Sequence, residues 1–263
     1  MKKVCVFLFS GTGLTKYAID TIKRELENLS VSVDVYPIET TSAQSVPFGT
    51  YDALGIAYPV HAFNAPKIVI NFAKTLPKAV STNVFLISTA GDDHPINDSS
   101  SKLLTRILQR KNYHVFYEKL LNMPSNFVVK YDEPKVERLL SAADSAAPQI
   151  AKDIASLVPC KHKSGFLSNI MAFVGRAEWF GTVFIGKTFF ADQNCTHCGV
   201  CVNHCPNRNI VNGNRIRFRW HCGLCMRCFY VCPQHAIRVH WPFRFICFDK
   251  WYQNEKIRQI RKS

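Results

Sequence analysis

The chain has 263 residues, 47% of them hydrophobic and 20% charged, long enough for two cores and too well mixed for a disordered, fibrous or low-complexity protein. Its formal charge of +14 favours acidic partners or an anionic surface through long-range attraction. Eleven cysteines do not make a disulfide scaffold here, because eight of them fall in two repeats near the C-terminus and no secretory signal accompanies them. The opening Met-Lys-Lys mimics a signal peptide, but the apolar run Val4 to Phe9 is too short and no small-residue cleavage site follows. The nearest thing to a membrane span, Gly165 to Ala191, is broken by Arg176, Glu178 and Lys187, so a cytoplasmic location is expected.

In chain order, Lys3 to Phe9 is a continuous apolar run that breaks into Ser10, Gly11, Thr12, Gly13, Leu14 and Thr15. Tyr17, Ala18, Ile22, Leu26 and Leu29 then fall at helical spacing. A buried strand, a Gly/Ser/Thr turn and a helix make an anion site, because free backbone N–H groups converge where the helix dipole favours negative charge. The loop lacks the Gly-Lys-Ser/Thr of a Walker A motif and is not G-x-G-x-x-G. Strands are expected at Val31 to Ile38, Ala53 to Tyr58, Val84 to Ser88 and Val115 to Leu121, and helices at Pro66 to Leu76 and Ser99 to Lys111. Such alternation implies a parallel sheet covered on both faces, with ligands outside the carboxyl ends of its strands. Three loops meet there: Ser10 to Thr15, Tyr58 to Ala65 and Thr89 to Asn97.

The S-x-T-G-x-T loop and this alternation resemble the flavodoxin family over about the first 125 residues. The resemblance implies an FMN with its phosphate on Ser10, Gly11, Thr12, Gly13, Leu14 and Thr15. It further implies ring contacts from Tyr58, Pro59, Val60, His61 and Phe63 on one side and Ala90, Gly91 and Asp92 on the other. His94 is the one aromatic ring of that second loop, and Met123 to Asn126 offers a further closure.

Residues 132 to 158 read as a surface helix with Val136, Leu139, Leu140, Ala143, Ile150, Ile154 and Leu157 on one side and a kink at Pro148. Pro159 to Gly165 is a candidate hinge. Between Phe166 and Phe190 the apolar residues are expected to pack between two domains; the alternative is a helix lying in a membrane interface.

Residues 195 to 233 contain C-x-x-C-x-x-C-x-x-x-C-P twice. Three cysteines at this spacing let one turning loop present three thiolates to a cubane cluster, and the fourth, before proline, goes to the other cluster. Cys195, Cys198, Cys201 and Cys232 are thus assigned to one 4Fe-4S centre, and Cys222, Cys225, Cys228 and Cys205 to its partner. Structural zinc prefers two well-separated C-x-x-C pairs, a poor match to this density. The double motif resembles that of bacterial-type two-cluster ferredoxins. His197, His204 and His221 are not needed as ligands. Cys5 reads as a buried strand residue, and Cys160 and Cys247 carry no assigned role. The stretch from Trp241 to Phe248 is aromatic, and Asp249 to Lys262 is a charged tail expected to fold back on the protein.

The expected architecture is α/β: a flavodoxin-like doubly wound parallel sheet in residues 1–158, a connection in 159–190, a smaller bacterial-ferredoxin-like α+β domain in 191–240 and a tail in 241–263. The whole resembles the EFR1-family flavodoxin–ferredoxin fusion proteins, which implies an oxidoreductase of the electron-transfer kind with FMN and two 4Fe-4S clusters, in an anaerobic setting. With these cofactors the charge falls to roughly +8. The expected partner is an acidic electron carrier of ferredoxin or flavodoxin type or a redox enzyme, with peripheral membrane contact a further option; nucleic acid is disfavoured by the lack of any binding motif. The alternatives are an FMN-dependent reductase of a small organic substrate fed by the clusters, and a redox sensor or scaffold. No catalytic residue is assigned.

Overall fold

The computed structural model describes residues 1–91, 94–125, 127, 129–161 and 165–245. Asp92, Cys247 and most of the tail therefore lie outside the described residues. The strands β1 (Lys3–Leu8), β2 (Ser32–Pro37), β3 (Ala53–Pro59), β4 (Thr82–Ala90) and β5 (Tyr113–Asn122) form one sheet in the order β2-β1-β3-β4-β5, every pair parallel. Parallel pairing requires crossovers, and the helices α1 (Leu14–Asn28), α2 (Lys67–Thr75) and α3 (Lys102–Gln109) supply them. Because helices cover both faces, the central strands are apolar throughout instead of alternating with polar residues. Val4, Val6 and Leu8 of β1 join one core with Ile22 and Leu26 of α1, while Cys5 and Phe7 join the other with Val69 and Ile70 of α2. The order reverses between β1 and β3, and this is where doubly wound sheets place ligands.

Helix α4 (Glu133–Ala155) closes the first face, burying Val136, Leu140, Ala143, Ile150 and Ile154 against α1. Asp132 caps it, its carboxylate accepting from Lys135 N at 3.0 Å, and the helix runs on through Pro148. Leu157, expected on the buried side, is exposed because it follows the last turn. Within the expected hinge, Pro159 to Gly165, Cys160 is tied down. Cys160 N donates to Phe116 O at 3.0 Å and Cys160 O accepts from Glu118 N at 2.7 Å, a single β-bridge on the open edge of β5.

Helices α5 (Phe166–Gly175) and α6 (Glu178–Lys187) follow, and they correct an expectation. Trp179 and Ile185 reach two of the cores and Met171 and Val183 are half-buried, but the other large apolar side chains face outward, and Ser168, Ala172, Thr182 and Gly186 are the buried ones. Close backbone approach explains this. A Cβ on Gly175 would lie 2.0 Å from Ala62 O, and one on Gly186 would lie 2.4 Å from Cys222 Sγ. Only small residues fit on the inner side of these two helices.

The C-terminal unit is small and antiparallel. Strands β6 (Phe189–Ala191) and β9 (Ile237–Val239) pair, as do β7 (Ile210–Val211) and β8 (Arg217–Phe218), with the short helices α7 (Val200–Asn203) and α8 (Arg227–Val231) between them. Phe189 stacks edge-on against Phe218 and Phe229 in its core. The chain is thus a flavodoxin-like doubly wound sheet joined to a ferredoxin-like α+β unit.

Candidate redox site

The two repeats of the C-terminal unit enclose two small cavities. One is lined by Cys195, Cys198, Cys201 and Cys232, the other by Cys205, Cys222, Cys225 and Cys228. Each set of three comes from one loop and the fourth from the other repeat, so the structure brings together the same two groups of four that the spacing implies. Backbone N–H groups aim at the sulfurs: Asn209 N donates to Cys205 Sγ and Ala236 N to Cys232 Sγ, both at 3.2 Å. Leu224 N donates to Cys222 Sγ at 3.4 Å. Burial pushes the Cys201 thiol up to about 11 and raises Cys225 and Cys228 as well. Such thiols ionise only beside a strong positive charge, as iron would supply. Among the described residues no three Cys, His, Asp or Glu side chains converge to hold a metal ion. Four thiols spread around a void suit a multi-iron cluster better than one zinc ion. His204 Nδ1 lies 2.9 Å from Val200 O and His197 Nδ1 lies 3.4 Å from Asn212 Oδ1, so both rings are turned to other partners.

At the carboxyl edge of the sheet lies a larger cavity of about 600 Å³. Gly11, Thr12, Leu14 and Thr15 form its floor, and Gly13 starts α1 with φ 99°, a left-handed conformation that favours glycine. Ser10 and Gly13 do not line the cavity; they shape its floor. Ser10 Oγ accepts from Gly13 N at 3.1 Å and from Lys16 N at 3.3 Å. Thr15 and Thr89 hydroxyls share a hydrogen bond of 2.8 Å, tying the loop to β4. Pro59, Val60, His61, Ala62 and Phe63 line one side and Thr89, Ala90 and Gly91 another. Burial pushes the His61 imidazole down to about 4, so it is neutral near pH 7.

Tyr58 corrects an expectation. It is fully buried among Phe7, Ile56 and Ile70 and does not reach the cavity, because its position on β3 points it to the α2 face, opposite to Ala57. His94 is exposed and accepts from Ile96 N through Nδ1, away from the cavity lining. The missing aromatics come from farther along the chain: Phe127 and Tyr131 line the cavity beside Met123, Pro124 and Ser125. The Tyr131 hydroxyl donates to Gly91 O, which fixes this wall against the β4 loop. No spacing signal linked Phe127 or Tyr131 to the site, since neither sits in a motif.

The fourth wall is formed by the C-terminal unit. Leu224, Cys225 and Met226 line the cavity, and Cys225 also lines the adjoining four-thiol cavity. A Cβ on Gly11 would lie 2.2 Å from Cys225 O, so the floor loop touches the cysteine loop directly. Arg227 locks the contact. It donates to Ser10 O at 2.6 Å, pairs with Glu39 at 2.5 Å and lies over the Phe9 ring. The pair is only 15% and 13% exposed. Removing one partner of a buried pair strands the other, so Arg227→Ala is expected to cost about 3 kcal/mol in anaerobic denaturant unfolding. Adding Glu39→Gln is expected to recover part of that loss; a change below about 0.5 kcal/mol for the single variant would remove the clamp from this account.

Glu178, at the start of α6, also faces the cavity, and its Oε2 is buried with no hydrogen-bond partner. Burial pushes its carboxyl from 4.5 up to about 7. The folded state therefore holds this proton more tightly than the unfolded one. Its contribution to stability is present below pH 4.5 and is lost as pH rises through 7. Glu178→Gln is accordingly expected to change little at about pH 5 and to gain about 2 to 3 kcal/mol at about pH 8, read from unfolding at both values. Equal stability of the two proteins at the higher pH would contradict this.

Residues 187–233 match the family model described as a 4Fe-4S dicluster domain. Among solved structures, the two-electron reduced flavodoxin of Megasphaera elsdenii is similar at 19% identity, covering 55% of this chain and 99% of that one with a TM-score of 0.39. The NAD(P)H:quinone oxidoreductase from Methanothermobacter marburgensis is similar at 16% identity over 56% and 94% of the two chains, TM-score 0.42. A flavodoxin of Streptococcus pneumoniae TIGR4 is similar at 17% identity over 59% and 98%, TM-score 0.39. At these values the likeness adds nothing to the strand order, on which the fold rests. No curated protein matches the sequence.

Proposed function

We propose that the chain is an electron-transfer flavoprotein, holding FMN in the cavity at the sheet edge and two 4Fe-4S clusters on its eight motif cysteines. The observation that carries this reading is Cys225, whose loop walls both the large cavity and the nearer four-thiol cavity. A flavin exchanges electrons in pairs and a 4Fe-4S centre singly, so the two together split or gather electrons for one-electron carriers. The chain's own part is positional. The loop of Ser10 to Thr15 binds phosphate with backbone N–H groups at a helix start, and Phe63, Phe127 and Tyr131 offer ring faces. Arg227 holds the cysteine loop against that floor. Cys198, the exposed member of the farther set, marks the exit toward a partner, which we take to be an acidic electron carrier.

Anaerobic purification with iron, sulfide and flavin quantitation tests this: about eight irons and one FMN per chain are expected. Stoichiometric zinc in place of iron, or full iron without flavin, would contradict it. The size of the cavity and the protonatable Glu178 favour a second reading, an FMN-dependent reductase of a small organic substrate. It requires oxidation of the reduced protein by a small acceptor with no protein partner present.

A further inference from the structure

The α5–α6 segment, which runs on in helical conformation through Arg176 and Ala177, is inside out. Its small and polar side is bonded to the sheet domain, with Asn64 Nδ2 donating to Ala172 O at 2.8 Å and the Ser99 and Ser168 hydroxyls 2.9 Å apart. Its outer side presents Phe166, Leu167, Phe173 and Val174 from α5 and Phe180 and Phe184 from α6, with Phe166 83% and Phe180 74% exposed. Trp220 packs edge-on against Phe184 at 5.8 Å and is itself exposed. Trp241, 86% exposed, follows His240, whose backbone is bonded to Thr188 just past the end of α6. So many exposed large apolar side chains along one segment call for a partner.

Charge identifies the partner. Residues 159–263 contain sixteen Lys and Arg against four Asp and Glu, whereas residues 1–158 are nearly balanced at seventeen against fifteen. Of the two acidic residues in 159–245, Glu178 faces the inner cavity and Asp192 is paired with Arg238 at 3.1 Å. Arg215, Arg217 and Arg219 are exposed beside Trp220, and Lys187 closes α6 with its ammonium over the Trp220 ring. A second copy of the same face would bring like charge against like charge. A set of exposed Phe and Leu side chains, with the Arg176 guanidinium over the Phe173 ring and Trp and cations at its edge, suits the headgroup boundary of an anionic bilayer. Among the described residues no helix is long and apolar enough to cross a membrane, so the contact is made in the plane of the interface.

We propose that the α5–α6 segment with Trp220 and Trp241 seats this protein on an anionic membrane surface, burying the outward phenylalanines at headgroup depth. The test is anaerobic flotation of the cofactor-loaded full chain with vesicles of phosphatidylcholine containing about a third phosphatidylglycerol, and with phosphatidylcholine alone. The protein is expected to float with the first and not the second, and to be released as salt is raised. Phe173→Ser/Phe180→Ser, both exposed and so compatible with folding, is expected to lower the partition at least tenfold with iron content unchanged. Failure of the wild type to float on anionic vesicles would overturn the proposal. So would equal flotation of the double variant, which leaves charge alone, or a lipid-free dimer that the double variant dissociates, which makes the patch a contact between copies.

Discussion

Cys205→Ala is expected to halve the iron, from about eight to about four per chain, and to remove the centre nearer the flavin cavity. The reason is the exchange between repeats: Cys205 follows the first triad in sequence but lines the cavity of Cys222, Cys225 and Cys228. Cys232 reciprocates in the cavity of Cys195, Cys198 and Cys201. The matching amide bonds, Asn209 to Cys205 and Ala236 to Cys232, hold both crossing sulfurs in the same way. Pairs of substitutions make the assignment sharp. Cys205→Ala/Cys222→Ala strikes one centre and is expected to keep about four irons, whereas Cys195→Ala/Cys205→Ala strikes both and is expected to keep almost none. Iron analysis on anaerobically prepared protein reads this directly, and the reverse pattern would mean that each repeat fills its own cluster.

Gly11→Ala is expected to weaken flavin binding at least tenfold, about 1.4 kcal/mol, and to slow electron passage to the clusters. Its Cβ would lie 2.2 Å from Cys225 O and 3.1 Å from Cys225 C. Both are backbone atoms of a loop fixed by thiols, so neither can rotate away as a flexible side chain would. Either the phosphate loop or the cysteine loop has to move, and the contact that joins them opens. Gly49→Ala is the control, since a Cβ there meets nothing within 4 Å. Flavin titration of both variants, with iron content as the check on folding, separates a local clash from general damage; unchanged affinity in Gly11→Ala would mean that the two loops are not in contact.

The features legible in the sequence are those encoded by short spacings. Two C-x-x-C-x-x-C-x-x-x-C-P repeats and a Gly/Ser/Thr turn between an apolar strand and a helical pattern can each be read within a dozen or so residues. The alternation of elements likewise gave the parallel sheet. Contacts made across the fold were not legible. Tyr58 sits in a strand buried on both faces, where a continuous apolar run carries no sign of which face each residue takes. Phe127, Tyr131 and Glu178 reach the cavity from segments remote from its loops. Arg227, one cation among many in a basic half, is singled out only by meeting Ser10 and Glu39. The α5–α6 segment reversed the usual rule: its apolar residues suggested a buried connection, but close approach at Gly175 and Gly186 leaves much of the inner side to small residues and turns most of the large ones out.

The central claim is that one polypeptide wires a two-electron organic cofactor to a pair of one-electron inorganic centres across the wall that Cys225 shares. Rapid-freeze paramagnetic resonance after selective reduction of the flavin tests it most directly. Cluster signals are expected to grow as the flavin is reoxidised, and to be lost in Cys205→Ala while the flavin stays reduced. Clusters that remain oxidised in the intact protein, although their potentials permit reduction, would contradict the account.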